Sequence, residues 1–152
     1  MKLANAINYL HRLVSKSTIM KLIPYLHFNG NCEEVLNAYI NILDGSGQVV
    51  ARFGDNPAYP VPEEHKNRVM HASLQFDDNV IMLSDSMPGH QVIHGNGVNL
   101  SINHSDEERI RRIFAKLADG GQITMPLEKQ FWGALFGQVI DKFDIRWMIS
   151  CP

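Results

Sequence analysis

The sequence is short of cysteine, of net charge and of long apolar runs, and each shortage excludes a class of protein. Cys32 and Cys151 are too few for a disulfide framework; this usage is typical of a reducing compartment and predicts a cytoplasmic protein. Fourteen Lys and Arg against sixteen Asp and Glu give a net charge of −2, so no nucleic-acid or membrane partner is expected. No segment approaches the roughly 20 consecutive apolar residues of a membrane-spanning helix. The 152 residues, 45% of them hydrophobic, suit one globular domain.

Residues 1–19 differ in composition from the rest of the chain. They contain no acidic residue, and Leu3, Ile7, Leu10 and Val14 recur at spacings of three and four, which predicts an amphipathic helix. We interpret this segment as an N-terminal arm or as the product of a misassigned start codon, with the domain proper in residues 20–152. The alternatives are an organelle presequence and an arm that swaps onto a partner in a protein that is chiefly an interaction subunit.

From residue 20 the chain repeats one pattern of elements, at about residues 20–90 and 95–152. In each copy a strand leads into a helix N-cap with Glu three residues later, Asn31 with Glu34 and Ser105 with Glu108. The strands are predicted at residues 22–28, 48–53, 69–76 and 79–84 in the first copy and at 98–103, 122–125, 134–140 and 145–150 in the second. The repeat predicts an α+β protein of two β-α-β-β-β units, whose curved mixed sheet forms a cup with the helices on its outer face.

Alternation along these strands predicts one polar sheet face. Apolar residues of one parity pack on the helix, and residues of the other parity point away from it. Hydroxyl, amide and imidazole groups on an open sheet face are suited to binding a small polar ligand. Trp132, like Phe136, Phe143 and Trp147, is either a stacking wall of this site or part of the core or a dimer interface. The predicted ligand-binding residues are Tyr25, His27, His71, Ser73, Ser84, Asn99, Ser101 and Trp132.

Four segments carry a resemblance to a known family. They are PYLHFNGNCEEVLNAY (24–39), VMHASLQFDDNVIMLSDSMPG (69–89), GVNLSINHSDEE (97–108) and FWGALFGQVIDKFDIRWMIS (131–150). Together with the two units, they resemble the PhnB-like branch of the vicinal oxygen chelate superfamily, which also contains glyoxalases, extradiol dioxygenases and the fosfomycin and bleomycin resistance proteins. The resemblance covers residues 20–150 and implies the glyoxalase/bleomycin resistance fold. Asp144 departs from the family, which usually has Gly there; Asp tolerates the left-handed conformation, so the turn is expected to survive.

The resemblance implies four metal-ligand positions, on the first and last strands of each unit. They fall on Met82, Gly97 and Met148, and on Ile23, Pro24 or Tyr25 in the first strand. None of these residues is a normal ligand of a hard or borderline divalent ion, so we expect no metal site and no cofactor. The alternative is a displaced metal site that uses His27 and His71, with Ser84 or Tyr25 and water.

Two further residues have both a chemical and a structural interpretation, and in each case we prefer the structural one. Asp85 is either a general base or a loop-capping residue. Cys32 is either a nucleophile activated at a helix N-terminus or a buried thiol. The branch is also described as a ubiquinone-type methyltransferase, but the chain lacks the strand, Gly-rich loop and helix of an S-adenosylmethionine site.

The sequence leaves two functional classes open. A binding protein would hold a small ligand without chemistry, as the bleomycin resistance proteins do. An enzyme would be a metal-dependent lyase, dioxygenase or transferase acting on a small oxygenated substrate. The missing metal ligands favour the binding protein, and no catalytic residue is assigned. The resemblance also implies a homodimer, consistent with an apolar C-terminal strand that needs covering.

Overall fold

The computed structural model of the chain describes residues 20–58 and 60–152. The predicted arm or misassigned start at residues 1–19 lies outside the described residues. The described part of the chain divides into two compact units, with the boundary between Val92 and Ile93. The interpretation of residues 20–152 as a single domain stays a prediction. No helix among the described residues is long and apolar enough to cross a membrane.

Among its described residues, the N-terminal unit has one helix and four strands. Its elements are β1 (Tyr25–Phe28), α1 (Cys32–Leu43), β2 (Ser46–Arg52), β3 (Val69–Phe76) and β4 (Asn79–Asp85). The sheet order is β1-β4-β3-β2, with β1 parallel to β4 and the other pairs antiparallel. Helix α1 buries an apolar stripe that includes Val35, Leu36 and Tyr39 against β2, β3 and β4. The connection between β2 and β3 contains two short 3-10 turns, Phe53–Asp55 and Glu63–His65.

The C-terminal unit repeats this arrangement. Its elements are β5 (Leu100–Asn103), α2 (Glu107–Ala118), β6 (Gln122–Lys129), β7 (Leu135–Ile140) and β8 (Arg146–Cys151). The sheet order is β5-β8-β7-β6, again with one parallel pair, β5 with β8, and two antiparallel pairs. The predicted α+β class and the two β-α-β-β-β units are therefore confirmed. Strand β8 lies between two others, so the expectation that the C-terminal strand needs covering is wrong.

Several predicted boundaries differ from the structure. Of the two predicted N-caps, Asn31 is confirmed in position, whereas Ser105 is not the N-cap. Strand β1 begins at Tyr25 rather than Leu22, and β5 begins at Leu100 rather than Val98, because the preceding residues have no strand partner. The side chain of Asn31 makes no capping hydrogen bond. Helix α2 is capped by Asp106 rather than Ser105, through a carboxylate oxygen that accepts from Arg109 N at 3.0 Å.

Helix α1 is instead anchored by a carboxylate far away in the sequence. Oδ1 of Asp85, at the end of β4, accepts hydrogen bonds from Gly30 N at 2.9 Å and from Cys32 N at 3.0 Å. Oδ2 accepts from Val69 N at 2.8 Å, so one buried side chain joins α1, β3 and β4. Asp85 therefore has the capping role that we preferred to a general base, with the helix start as the capped group.

The turn before β8 contains a residue in the left-handed conformation, although that residue is not a glycine. Asp144 adopts a φ of 64°, and its N–H donates to Asp141 O at 3.0 Å. Asp141 N donates in turn to Ile145 O at 2.9 Å, which closes the turn. The expectation that Asp144 would tolerate the left-handed conformation is confirmed.

We predict that Asp144→Gly raises the free energy of unfolding by about 0.5 kcal/mol, because Gly removes the left-handed strain while adding freedom to the unfolded chain. Urea unfolding of the variant and the wild type measures the difference. Asp119→Gly is the matched control, since Asp119 has an ordinary φ of −66° and should lose stability on the same change. Equal destabilisation by both substitutions would contradict the prediction.

Candidate functional site

The face of the N-terminal sheet opposite α1 is polar. Strand register places Tyr25 beside Met82, His27 beside Ser84, and Ser73 between Met82 and Gln48. Gly47, of the other parity, faces α1, because a Cβ built on it would lie 2.8 Å from Leu36. We call the opposite side the N-terminal site face; its residues are Tyr25, His27, Ser46, Gln48, Ala51, His71, Ser73, Gln75, Val80, Met82 and Ser84.

Tyr25 and His71 form a hydrogen-bonded pair on this face. The Tyr25 hydroxyl oxygen lies 2.9 Å from His71 Nδ1, although the residues are 46 positions apart in the sequence. The Tyr25 ring also stacks on His27, with ring centroids 4.9 Å apart and planes inclined by 25°. The three aromatic side chains predicted for the first and third strands therefore lie together.

Ser84 extends the pair into a chain of hydrogen bonds. Its hydroxyl oxygen lies 2.8 Å from His27 Nδ1, and Ser84 also acts on the Tyr25 hydroxyl, whose pKa it lowers. The order is thus His27, Ser84, Tyr25 and His71. His27 is exposed, whereas Ser84 and His71 are buried, so the chain leads from solvent to a buried imidazole.

Two buried polar atoms on the N-terminal site face have no hydrogen-bond partner among the described residues. They are His71 Nε2 and Ser73 Oγ. His71 is 6% exposed and Ser73 2% exposed, and both side chains lie on the N-terminal site face two residues apart in β3. Buried polar atoms without a partner cost about 1–3 kcal/mol each, so such atoms in a folded protein need an explanation. A bound ligand would supply the missing hydrogen bonds.

A concavity lies beside Ser73 on the same unit. Its volume is about 260 Å³, and its lining residues are Ser46, Gly47, Gln48, Ser73 and Gln75. Polar side chains of β2 and β3 thus provide space next to one of the partnerless atoms. The sequence reasoning missed Ser46 and Gln48, although polar residues on both sides of Gly47 give the alternation that marks a strand face.

Burial changes the ionisation of two groups in the hydrogen-bonded chain. Desolvation lowers the pKa of His71 and raises the pKa of Tyr25, whose hydrogen bond with Ser84 acts in the opposite direction. Both groups therefore stay uncharged near neutral pH. The hydrogen bond between Tyr25 and His71 therefore joins two neutral groups.

We predict that His71 reduces stability in mild acid. Because its pKa is lower in the folded state than the ordinary value of 6.5, only the unfolded chain takes up this proton as the pH falls below 6.5. The free energy of unfolding of the wild type should fall between pH 6.5 and 5 more steeply than that of His71→Gln. Denaturant titrations at several pH values measure both slopes, and equal slopes would contradict the prediction.

The three predicted site residues of the C-terminal unit are spread over different elements. Ser101 lies in β5 beside Met148, on the face opposite α2, and Asn99 precedes the strand. The prediction that Asn99 lines a strand face is therefore wrong. Trp132 lies in the β6–β7 connection, 54% exposed, with its ring against Phe131 and Phe136. Phe143 and Trp147 are core residues.

The donor set at the family's metal positions does not fit a hard or borderline divalent ion. Tyr25 pairs with Met82 in the first sheet, and Met148 pairs with Ser101 in the second. The fourth position, Gly97, has no side chain to offer. Phenol and thioether groups without imidazole or carboxylate are poor ligands for such ions. Across residues 20–58 and 60–152, no three His, Cys, Asp or Glu side chains are grouped so that they could hold a metal.

Cys32 does not have the environment of a nucleophile. The thiol is fully buried in the first turn of α1. Its pKa is raised well above the ordinary value, first by burial and then by the Asp85 and Glu33 carboxylates. The interpretation as a buried structural thiol agrees with these observations.

The described residues have the glyoxalase/bleomycin resistance fold. A glyoxalase/bleomycin resistance protein from Albidiferax ferrireducens has the same fold, with a TM-score of 0.57 and 13% identity over 88% of this chain and 100% of that one. Each sheet here is mixed, whereas the usual S-adenosylmethionine fold needs a doubly wound parallel sheet.

A family model and a sequence relative show the family as well as the fold. Residues 20–150 match the family model described as 3-demethylubiquinone-9 3-methyltransferase. Protein YjdN of Escherichia coli is 32% identical over an alignment of 140 residues, and the alignment covers 86% of this chain and 95% of YjdN. The structure of protein PA1353 from Pseudomonas aeruginosa has a TM-score of 0.78 and 36% identity, and the match covers 88% of this chain and 98% of PA1353. The structure of the PhnB protein from Bacillus cereus has a TM-score of 0.74 and 27% identity, and the match covers 88% of this chain and 100% of that protein. The chain belongs to this PhnB-like family.

Proposed function

We propose that this protein binds a small molecule on the N-terminal site face through protein groups alone. The observation that carries the proposal is the pair of buried, partnerless atoms His71 Nε2 and Ser73 Oγ. The adjacent concavity and the hydrogen-bonded residues Tyr25, His27 and Ser84 support it. Ser101, Asn99 and Trp132 stay proposed ligand contacts of the C-terminal unit.

Binding without a metal is proposed because of the donor chemistry. The family's ligand positions hold Met82, Gly97 and Met148, with Ile23, Pro24 or Tyr25 in the first strand. None of these residues suits zinc or manganese. The name of the matching family model suggests methyl transfer to a ubiquinone precursor. The mixed sheets give no support to the usual S-adenosylmethionine site, so we propose binding rather than that reaction.

We also propose that the protein is a cytoplasmic homodimer. Both cysteines are free and buried, which suits a reducing compartment. Exposed apolar side chains of the C-terminal unit, above all Phe131 at 97% exposed, would be covered by a second copy. Sedimentation should give twice the monomer mass, and Phe131→Ser should weaken the dimer. A monomer at all concentrations would contradict the proposal.

The binding proposal is tested by thermal melts with a library of small polar compounds in buffer containing EDTA. A compound that binds only the folded state at 100 times its dissociation constant adds about 2.7 kcal/mol of stability, which is visible as a raised melting temperature. We expect stabilising compounds whose effect is lost or reduced in Ser73→Ala.

Ser86→Ala is the matched control, because Ser86 is also a buried serine of this unit but lies beyond the end of β4. Its melt shift should equal that of the wild type. A library without any stabilising compound, or hits unaffected by Ser73→Ala, would overturn the proposed site.

A further inference from the structure

We infer that the ligand presents an uncharged oxygen acceptor, a carbonyl or hydroxyl oxygen, to a proton carried on His71 Nε2. This inference rests on the proposed function and specifies the chemistry of its ligand. The candidate ligands are small amides, ketones and alcohols, whereas carboxylates and phosphates are disfavoured. Three features carry it: the direction of the hydrogen-bonded chain, the charge on the N-terminal site face, and the second partnerless atom.

The direction of the hydrogen bond between Tyr25 and His71 determines which ring nitrogen of His71 carries the proton. A phenol O–H is a stronger donor than a neutral imidazole N–H, and an imidazole nitrogen without a proton is a good acceptor. Tyr25 therefore donates to His71 Nδ1 across the 2.9 Å contact. With Nδ1 accepting, the single proton of neutral His71 is on Nε2. The partnerless atom is thus a donor that needs an acceptor.

The charge on this face selects among acceptors. The strand residues that we assign to the N-terminal site face include no Asp, Glu, Lys or Arg. Arg52, the cation of β2, pairs with Glu33 of α1 at 2.8 Å and does not serve the site. Burial lowers the pKa of His71, so this ring also offers no positive charge near neutral pH. An ionised ligand oxygen would be buried without a counter-charge, which is costly.

Ser73 supplies the second point of recognition. Its hydroxyl is buried, lacks a partner among the described residues, and borders the concavity formed with Ser46, Gln48 and Gln75. A hydroxyl can both donate and accept, so it fits a second polar atom of the same ligand. The amide side chains of Gln48 and Gln75 add neutral donors and acceptors around the space.

Nitrogen NMR of the histidine rings tests the inference, with N-methylacetamide and acetate as matched probes at equal concentrations and pH 7.5. In the free protein, His71 should have its proton on Nε2. N-methylacetamide should move the Nε2 resonance saturably, and acetate should not. A proton on Nδ1, a response to acetate alone, or no response to either probe would overturn the inference. The melt screen reports separately on the proposed function, because ionised hits sensitive to Ser73→Ala would leave it standing.

Tyr25→Phe separates a ligand contact from a tautomer effect. The variant removes the donor to Nδ1, so His71 should become a mixture of tautomers and the dissociation constant for N-methylacetamide should rise about three- to tenfold. Tyr25 is partly exposed, so the fold should tolerate the change. Ser86→Ala should alter neither the tautomer nor the dissociation constant. An unchanged tautomer in Tyr25→Phe would overturn the assigned direction of the chain.

Discussion

Asp85→Ala should lower the free energy of unfolding by about 3–5 kcal/mol, because each buried donor left without an acceptor costs about 1–3 kcal/mol. Asp85 accepts from three backbone N–H groups, and those of Cys32 and Val69 are buried. The alanine side chain can replace none of these bonds. Since small domains are stable by only about 5–15 kcal/mol, the variant should be unfolded by much less urea than the wild type.

Asp106→Ala provides the matched control for this prediction. Asp106 also caps a helix with a carboxylate, which accepts from the backbone N–H of Arg109, but in an exposed position. Water can solvate that donor when the carboxylate is removed, so the loss of stability should be much smaller. Equal losses in the two variants would show that burial of the donors is not the cause.

Asp141→Ala should be destabilising by about 3–5 kcal/mol for the same reason, here in the C-terminal unit. Its Oδ1 accepts from Phe143 N at 2.9 Å and Ile145 N at 3.0 Å, and its Oδ2 accepts from the indole N–H of Trp147 at 2.8 Å. Trp147 is almost completely buried. Urea unfolding followed by tryptophan fluorescence measures the loss, and it should also report a changed environment of the indole.

Asp119→Ala is the control for Asp141→Ala, because Asp119 is an exposed aspartate at the end of α2 in the same unit. We expect little change in its midpoint of unfolding. A loss in Asp141→Ala no larger than in this control would mean that the three hydrogen bonds contribute little to the stability of the turn and of β8.

The site face could be predicted from the sequence because strands alternate with a period of two residues. Strand parity is enough to place Tyr25, His27 and Ser84 together on the face away from the helix. The repeat of strand, helix and three strands similarly predicted the element order. The strand ends were harder to predict. Asn99 falls outside β5 because it has no partner in β8, and not because of any feature of the local sequence.

The contacts within the site could not be predicted in the same way. Tyr25 and His71 are 46 residues apart, and Asp85 reaches Cys32 across 53 residues. Parity places a residue on a face but does not give the register that brings two side chains within hydrogen-bond distance. The partnerless state of His71 Nε2 and Ser73 Oγ likewise depends on packing from several elements. These long-range features required the structure.

Ligand binding by protein groups alone is tested most directly by titrating the EDTA-treated protein with Zn²⁺, Mn²⁺, Ni²⁺ and Fe²⁺ while following its thermal melt. The donor set at the family's metal positions predicts no saturable rise in melting temperature with any of the four ions. A cation bound at 100 times its dissociation constant would add about 2.7 kcal/mol of stability. A rise of that size, lost in the His27→Ala/His71→Ala double variant, would contradict the proposal and indicate a displaced metal site on the N-terminal site face.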